Sequence, residues 1–273
     1  MLNAEELSRV CVVLVRARNP ANIGAVARAM HDFGFSRLRV VNEFAVPFEA
    51  ARSAIDASVV MENAAIYSSV ADAVADCTLV VGTTAVGERD LQHPLLTLAQ
   101  AAPAMRTELQ QSPVLAAQST IELVSQARRV ALLFGSEKTG LSNEELSHCN
   151  WLLTIPMYQH EGIRHPSMNL GQAVAVCLYE LVREQEEPDH INKDAPSLSP
   201  PTSTPAEAAT LERMTALLIE VMDKTEYTRR HAANSSAENV RRLVRRMGAD
   251  ANDAAAWAGI LRQILWSLRT DES

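Results

Sequence analysis

Five short, uninterrupted apolar segments constrain the fold of this 273-residue chain more than any other feature of its sequence. They are rich in Val, Leu and Ile and do not alternate with polar residues, a pattern typical of strands buried on both faces of a parallel sheet. Helix-like segments lie between them, and this strand–helix alternation predicts an α/β fold with right-handed crossovers. The predicted strands cover residues 11–15, 38–41, 78–82, 130–134 and 151–155.

Capping signals mark several of the predicted helices. The first covers 22–33, where apolar residues repeat at helical spacing, and Gly34 suits the position just after a helix end. Ser142 and Glu145 have the spacing of a capping box, which predicts another helix start. Further helices are predicted at 52–66, 95–110 and 168–183.

A proline-rich segment divides the chain. Residues 186–205 contain five prolines among Ser, Thr and Asp, which predicts an extended linker. After it, helical spacing over 206–222, 236–247 and 253–268 predicts a small C-terminal all-α domain. We therefore expect an α/β domain at 1–185, a linker at 186–205 and a helical extension at 206–273.

Composition excludes several classes of protein. No apolar run approaches the ~18 residues that a transmembrane helix needs, and the polar N-terminal residues lack the apolar core of an export signal. The four cysteines are far apart and form no CxxC pair, which argues against a disulfide framework or a zinc site. A cytoplasmic protein with reduced thiols is the expectation.

The charged residues are unevenly distributed. The net charge of −8 argues against a non-specific nucleic-acid coat, but 22 of the 25 cations are arginines, whose forked side chains suit phosphate. One basic island lies within residues 7–31, which hold Arg16 and Arg18 and contain no acid. A second, at 224–246, has seven cations against two acids. Both RNA contact and an ordinary solvated surface fit these islands.

Four arginines of the second island are spaced as i,i+4 neighbours on a helix. This spacing predicts one contiguous ridge facing water, with no partner in sequence beyond Glu238. Phosphates are the natural counter-charge for such a ridge, so we expect it to bind a phosphate-rich partner such as a nucleic acid; a solubilising face is the alternative. The ridge comprises Arg241, Arg242, Arg245 and Arg246.

Unusual loops follow the predicted strands, at the edge of the sheet where ligands of open parallel sheets bind. Residues 16–24, 82–89, 135–142 and 156–168 are rich in Gly, Thr or Asn, or are unusually long. The loop at 135–142 is neither a P-loop nor a GxGxxG motif, and its two glycines also fit a simple tight turn. His160 and His165 have no third ligand nearby, so no metal site is predicted, and no hydrolytic triad is found.

Three segments together resemble the SpoU/TrmH family of S-adenosylmethionine-dependent RNA 2′-O-ribose methyltransferases, over residues 9–183. The first is Asn22 to Met30, followed by Phe33-Gly34. The second is Leu133 to Glu137 with Gly140-Leu141-Ser142 and Glu145, and the third is Ile155-Pro156-Met157 with Ser167 to Leu170. The tail resembles the helical extension of bacterial tRNA (cytidine/uridine-32-2′-O)-methyltransferases.

This resemblance implies a SPOUT-type parallel sheet with a C-terminal trefoil knot, working as a homodimer. It also implies S-adenosylmethionine as the cofactor and tRNA as the partner, with nucleotide 32 of the anticodon loop as the target ribose. No metal, DNA or membrane partner is expected. Methylation of ribosomal RNA and a non-catalytic RNA-binding role remain as alternatives.

The resemblance also assigns site residues. Arg28 is expected at the target ribose, either as a base or as an electrostatic clamp, with Asn22 shaping the site and Glu137 orienting polar groups. Two departures from the subgroup bear on substrate choice: Val86 stands where an arginine is usual, and the loop at 157–167 is long. The residues expected to bind the cofactor are Thr83, Thr84, Ala85, Gly135, Gly140, Ile155, Ser167, Met168 and Asn169.

Overall fold

A parallel sheet forms the centre of the computed structural model, which describes residues 2–41, 58–85, 92–111, 128–158, 167–183 and 204–270. The seven strands within these residues are ordered β3-β2-β1-β6-β4-β7-β5, and every adjacent pair is parallel. They are β1 (Val10–Val15), β2 (Arg37–Val41), β3 (Ala65–Tyr67), β4 (Leu79–Thr83), β5 (Leu95–Thr97), β6 (Val130–Phe134) and β7 (Trp151–Thr154).

The five strands predicted from apolar runs are confirmed, and they are the five interior strands. Every residue of β1 and of β6 is buried, as expected for strands covered on both faces. The two strands that the prediction missed, β3 and β5, are the sheet edges. Each has three residues and is only partly buried, so neither produces a long apolar run.

The helices alternate with the strands and then continue as a C-terminal group. Those of the sheet region are α1 (Ala4–Leu7), α2 (Pro20–Asp32), α3 (Ser58–Glu62), α4 (Val70–Ala73), α5 (Leu98–Gln110), α6 (Asn143–Ser147) and α7 (Leu170–Val182). The C-terminal group is α8 (Ala208–Lys224), α9 (Tyr227–Arg230), a 3₁₀ turn (Ala232–Asn234), α10 (Ala237–Arg246) and α11 (Ala251–Thr270).

Local capping explains the helix boundaries. The Asn19 side chain accepts a hydrogen bond from the Ala21 amide, and Pro20 fits the first turn, so α2 begins earlier than predicted. Gly34 follows α2 with φ +80°, which confirms its predicted role. The helix predicted at 52–66 is wrong at its end, since α3 stops at Glu62 and β3 follows; residues 52–57 lie outside the described ranges.

The two faces of the sheet bury separate apolar cores, because successive side chains of a strand point to opposite faces. Val10, Val12 and Leu14 of β1 belong to the core that α2, α3, α5 and α7 cover. Cys11, Val13 and Val15 belong to the core beneath α4 and α6.

The C-terminal helices have an apolar core of their own and attach at the amino ends of the strands. That core includes Leu211, Met214 and Leu261. The amide of Ala208 donates to the Cys77 carbonyl (2.9 Å), just before β4 begins. The helices predicted in the tail are confirmed. They lie at the edge of the sheet opposite to the loops that are expected to bind ligands. Most of the predicted linker, 186–203, lies outside the described residues.

A partly buried ion cluster also lies at the amino ends of the strands. Asp76 accepts hydrogen bonds from Arg39 (2.5 Å) and from Arg129 (2.8 Å). Burial alone would raise the pKa of Asp76, but the bond from Arg39 and the charges of both arginines lower this pKa to about 2. The Asp76 carboxylate therefore stays charged in the folded protein well into the acid range.

Candidate functional site

The motif segments meet at the carboxyl ends of four neighbouring strands. In the sheet, β1, β6, β4 and β7 are consecutive neighbours, so the loops that follow them share one edge. This is the edge at which parallel α/β sheets bind ligands.

An ion pair joins the loop after β1 to the start of α6. The Arg16 guanidinium donates from Nε to Glu145 Oε1 (2.6 Å) and from Nη2 to Glu145 Oε2 (2.9 Å), with a further bond to the Gly140 carbonyl (3.1 Å). Arg16 has φ +54°, a strained conformation for a residue with a side chain, and the paired guanidinium helps to hold it. The fork of Arg16, predicted to contact RNA, therefore has an internal partner.

The carboxylate of Glu145 has two roles. It completes the capping box predicted with Ser142, since Glu145 Oε2 accepts from the Ser142 amide (2.6 Å), and it also binds Arg16. Burial would raise the pKa of Glu145, but the bonds from Arg16 and from Ser142 outweigh it and lower this pKa. The capping-box spacing reveals the first role in the sequence, while nothing in the sequence pairs Glu145 with Arg16, 129 positions away.

The loop after β6 folds back tightly on itself. The Gly140 amide donates to the Ser136 carbonyl (2.8 Å), and Gly140 has φ +66°. A Cβ at Gly135 would lie 2.2 Å from the Gly140 carbonyl carbon and 2.3 Å from the Leu141 nitrogen. Gly135 is therefore required by the close approach of its own loop, which favours the tight-turn interpretation.

A line of hydrogen bonds connects the three motif segments. Glu137 accepts from the Asn22 amide group (3.0 Å), and also from the backbone amides of Arg18 (3.2 Å) and Asn19 (3.3 Å). The Asn22 side-chain oxygen in turn accepts from Asn169 Nδ2 (2.9 Å). Asn169 caps α7 by accepting from the Gly171 amide (2.9 Å). Residues from three distant segments thus form one polar cluster.

The cluster carries a negative charge at its centre. Burial would raise the pKa of Glu137, but the hydrogen bonds from Asn22 and from the backbone amides lower it below the usual range. Glu137 is therefore an acceptor at neutral pH and fixes the position of Asn22. The orienting role of Glu137 in the reaction stays a prediction.

The residues expected to bind the cofactor surround the same edge, but their side chains differ in availability. The Thr83 hydroxyl donates to the Leu133 carbonyl (2.8 Å) and so joins β4 to β6. The Thr84 amide donates to the Leu153 carbonyl (3.0 Å), while Ala85 is exposed. Among the others, Ile155 and Met168 are half-buried and Ser167 is exposed. Val86 and most of the long loop, 159–166, lie outside the described residues.

Arg28 projects from the exposed face of α2. No hydrogen bond or ion pair reaches Arg28 from the residues that the structure describes, and its side chain is open to solvent. Ile23, Val26 and Ala27 of the same helix are buried against the sheet. Arg28 is thus an exposed cation on the helix whose first turn carries Asn22.

The predicted arginine ridge of the tail is wrong as a solvent-facing surface. Arg245 is only 5% exposed, and its burial lowers the pKa of its guanidinium to about 10. Arg241 donates to Glu212 (2.9 Å) and to the Ser147 hydroxyl (2.8 Å), which ties α10 to α8 and α6. The i,i+4 spacing identified a common helix, but the four residues are divided among different neighbours. Arg242 is half-buried and Arg246 is exposed.

Within the described ranges we searched for metal-ligand clusters and for membrane-spanning helices. No three His, Cys, Asp or Glu side chains come together there as metal ligands. No helix in those ranges is both long enough and apolar enough to cross a membrane.

Comparison with known proteins identifies the family to which these motif segments belong. The model of the SpoU rRNA methylase family matches residues 9–179, which include all three motif segments. A Sodalis glossinidius protein named tRNA (cytidine/uridine-2′-O-)-methyltransferase TrmJ is 32% identical over 263 residues, covering 94% of this chain and 92% of that protein. A Pectobacterium atrosepticum protein of the same name is 30% identical over 265 residues, covering 94% and 97%.

The solved structures include a crystal structure of TrmJ from Z. mobilis ZM4, with a TM-score of 0.70 and 26% identity. The match covers 93% of this chain and 98% of that one, so it includes the C-terminal helices. Because the family model spans well over half of the chain and the sheet edge joins its motif segments, this chain belongs to the SpoU methylase family.

Proposed function

We propose that this chain transfers the methyl group of S-adenosylmethionine to the 2′-hydroxyl of a ribose in tRNA. The observation that carries the proposal is the cluster of Glu137, Asn22 and Asn169, which joins the three motif segments at one sheet edge. The relatives that align over nine-tenths of the chain are named tRNA 2′-O-methyltransferases, which supports tRNA over ribosomal RNA. We further propose nucleotide 32 of the anticodon loop as the target.

The residues at this edge fit S-adenosylmethionine. The loops at this edge offer half-buried apolar side chains, Ile155 and Met168, and polar backbone and hydroxyl groups at Thr84 and Ala85; an amphiphilic ligand with a planar base needs both kinds of surface. Gly135 keeps the loop after β6 tightly folded. The cofactor supplies a methyl group on a positively charged sulfur, so the chain has mainly to position the ribose and handle one proton.

Arg28 is the residue proposed to act on the ribose. Arginine side chains keep their protons in proteins, which favours the clamp over the base. With no acid holding it among the described residues, the guanidinium is available for a phosphate and for the 2′-oxygen. A donor at this oxygen stabilises the negative charge that develops as its proton leaves for water. Glu137 and Asn22 are positioning residues that fix the first turn of the helix bearing Arg28.

We also propose the knot, the three-part division of the chain and the homodimer. The insertion of β7, the last of the described strands in chain order, between β4 and β5 supports a knotted path. The separate apolar core of α8 to α11 supports a C-terminal domain at 206–273. Val176 and Tyr179, neighbours on α7, are large apolar residues left exposed, as in a surface that pairs with a second copy.

The test is methyl transfer with purified protein and labelled S-adenosylmethionine to two tRNA transcripts and, in parallel, to ribosomal RNA. One transcript has ribose at nucleotide 32, and the matched control has 2′-deoxyribose there and so lacks the acceptor oxygen. We expect label in the first alone. Equal labelling of both transcripts would refute nucleotide 32, and labelling of ribosomal RNA but not of tRNA would refute the tRNA substrate. No transfer to either RNA would refute the enzyme itself.

A further inference from the structure

A cavity of about 660 Å³ lies between α8 and α10, away from the motif cluster. Its apolar wall comes from Leu218 and Met222 on α8 and from Val240 and Leu243 on α10. Gln92, from the segment before β5, also lines it, so the sheet region and the tail both contribute. The volume lies in the range of pockets that hold small organic ligands. We call it the tail pocket.

The polar groups of the tail pocket are cations and amides. Arg242 and Arg246 line it together with Asn234 and Asn239, and none of its described lining residues carries a carboxylate. Arg242 donates to the Asn239 side chain, while Arg246 is exposed and has no partner among the residues described. The pocket therefore attracts anions and offers amide donors and acceptors beside them.

The two arginines of the pocket also affect the pKa of a neighbouring histidine. His93, next to Gln92, is buried, and its Nε2 has no hydrogen-bond partner in the described part of the chain. Burial, and then the charges of Arg242 and Arg246, lower the pKa of His93 to about 4. The charges of the two arginines thus act on His93 in the sheet region, and its imidazole stays neutral at pH 7.

An aromatic surface completes the pocket. Tyr227 lines it and is 41% exposed, and its ring lies beside that of His231, with 4.5 Å between the ring centroids and 34° between the planes. An accessible ring is the feature on which unpaired bases stack. Side-chain amides such as those of Asn234 and Asn239 hydrogen-bond the edges of bases, and guanidinium groups bind phosphates.

We propose that the tail pocket binds one unpaired nucleotide of the RNA substrate, with its base against Tyr227 and its phosphate on Arg246. This rests on the proposed function, in that the RNA is the tRNA to be methylated. The pocket lies at the amino ends of the strands and the motif cluster at their carboxyl ends, and a five-residue strand spans roughly 16 Å. The nucleotide held here is therefore not the one methylated by the same subunit, and the pocket is a second anchor point.

The test compares the binding of a fluorescein-labelled tRNA by the full-length wild type and by single variants. Arg246→Ala should weaken binding about tenfold and lower the log–log salt slope by about one unit, because one phosphate contact is lost. Tyr227→Ala should weaken binding about tenfold with the slope unchanged, because stacking carries no counterion release. The matched control is Arg262→Ala, an exposed arginine on α11 outside the pocket, which should bind like the wild type. Thermal melting verifies that each variant is folded.

The outcomes separate the possibilities. Wild-type affinity in both pocket variants would overturn the proposal, and an effect of Arg246→Ala without one of Tyr227→Ala would reduce the pocket to a charged patch and overturn it too. Tight binding of free uridine 5′-monophosphate by the wild type, with tRNA affinity unchanged in both variants, would assign the pocket to free nucleotides instead. If wild-type protein binds tRNA but transfers no methyl group, the proposed function fails while the comparison of variants still stands.

Discussion

Replacing Gly135 by alanine should damage the candidate site by a steric mechanism whose size follows from the structure. The added Cβ would lie 2.2 Å from the Gly140 carbonyl carbon, whereas ordinary contacts begin near 3.4 Å. The atoms that it meets, in Gly140 and Leu141, are backbone atoms and cannot rotate away. The loop must therefore open by more than 1 Å, which breaks the hydrogen bond from the Gly140 amide to the Ser136 carbonyl (2.8 Å). Overpacking costs about 1–3 kcal/mol and the lost hydrogen bond about 1 kcal/mol, so we expect a loss near 3 kcal/mol.

Thermal melting and calorimetry measure the two consequences. A loss of about 3 kcal/mol should lower the melting temperature by roughly 6–12 °C. Because this loop borders the proposed cofactor surface, S-adenosylmethionine affinity should also fall sharply.

Two other glycines are controls for this prediction. At Gly140 and at Gly259, an added Cβ would meet nothing within 4 Å. Gly140→Ala should therefore cost only the backbone strain of φ +66°, about 1 kcal/mol. Gly259→Ala, inside α11, should stabilise by up to about 1 kcal/mol. A Gly135→Ala protein that melts no lower than Gly140→Ala would refute the steric argument.

Three further predictions test other parts of the molecule. Arg28→Ala should abolish methyl transfer to tRNA and leave calorimetric S-adenosylmethionine affinity near the wild-type value, and a collapse of that affinity would contradict the assignment to the ribose. The pKa of Asp76 is lowered to about 2, so its contribution to the free energy of unfolding is complete above about pH 4 and is lost as the pH falls toward 2. Urea unfolding should therefore show a smaller decrease in stability over this pH range for Asp76→Asn than for the wild type. Arg241→Ala should lower the free energy of unfolding by about 2 kcal/mol, because Glu212 loses its partner, and Arg262→Ala should not.

The interior of the fold was predictable because its physical signal is local. An interior parallel strand is apolar on both faces, so β1, β6 and their interior neighbours stand out as short runs of Val, Leu and Ile. The edge strands β3 and β5 carry no such signal, because each has only three partly buried residues and pairs with one strand among those that the structure describes. In β5 the strand leads directly into α5, so helical spacing over 95–110 concealed it.

The candidate site was predictable as a set of segments but not as a set of contacts. Motif resemblance brought Asn22, Glu137 and Asn169 to one edge, and their hydrogen bonds agree with it. Pairings over long separations were out of reach: Arg16 with Glu145 depends on how two loops meet, and Arg241 with Glu212 depends on how three helices pack. Charge counting along the sequence cannot tell an arginine that neutralises an internal acid from one that faces solvent.

This distinction bears on how an acidic chain would bind RNA. Of the six arginines predicted to contact it, Arg16 and Arg241 pair with internal acids and Arg245 is buried, which leaves three with exposed or pocket-facing side chains. Those three lie in two places: Arg18 is beside the motif cluster, and Arg242 and Arg246 line the tail pocket at the opposite edge of the sheet. A net charge of −8 repels phosphate from the rest of the surface, so binding concentrates at these places. An RNA held at both must either follow the length of the sheet or be shared between two subunits, and the second arrangement would make a dimer necessary for substrate binding.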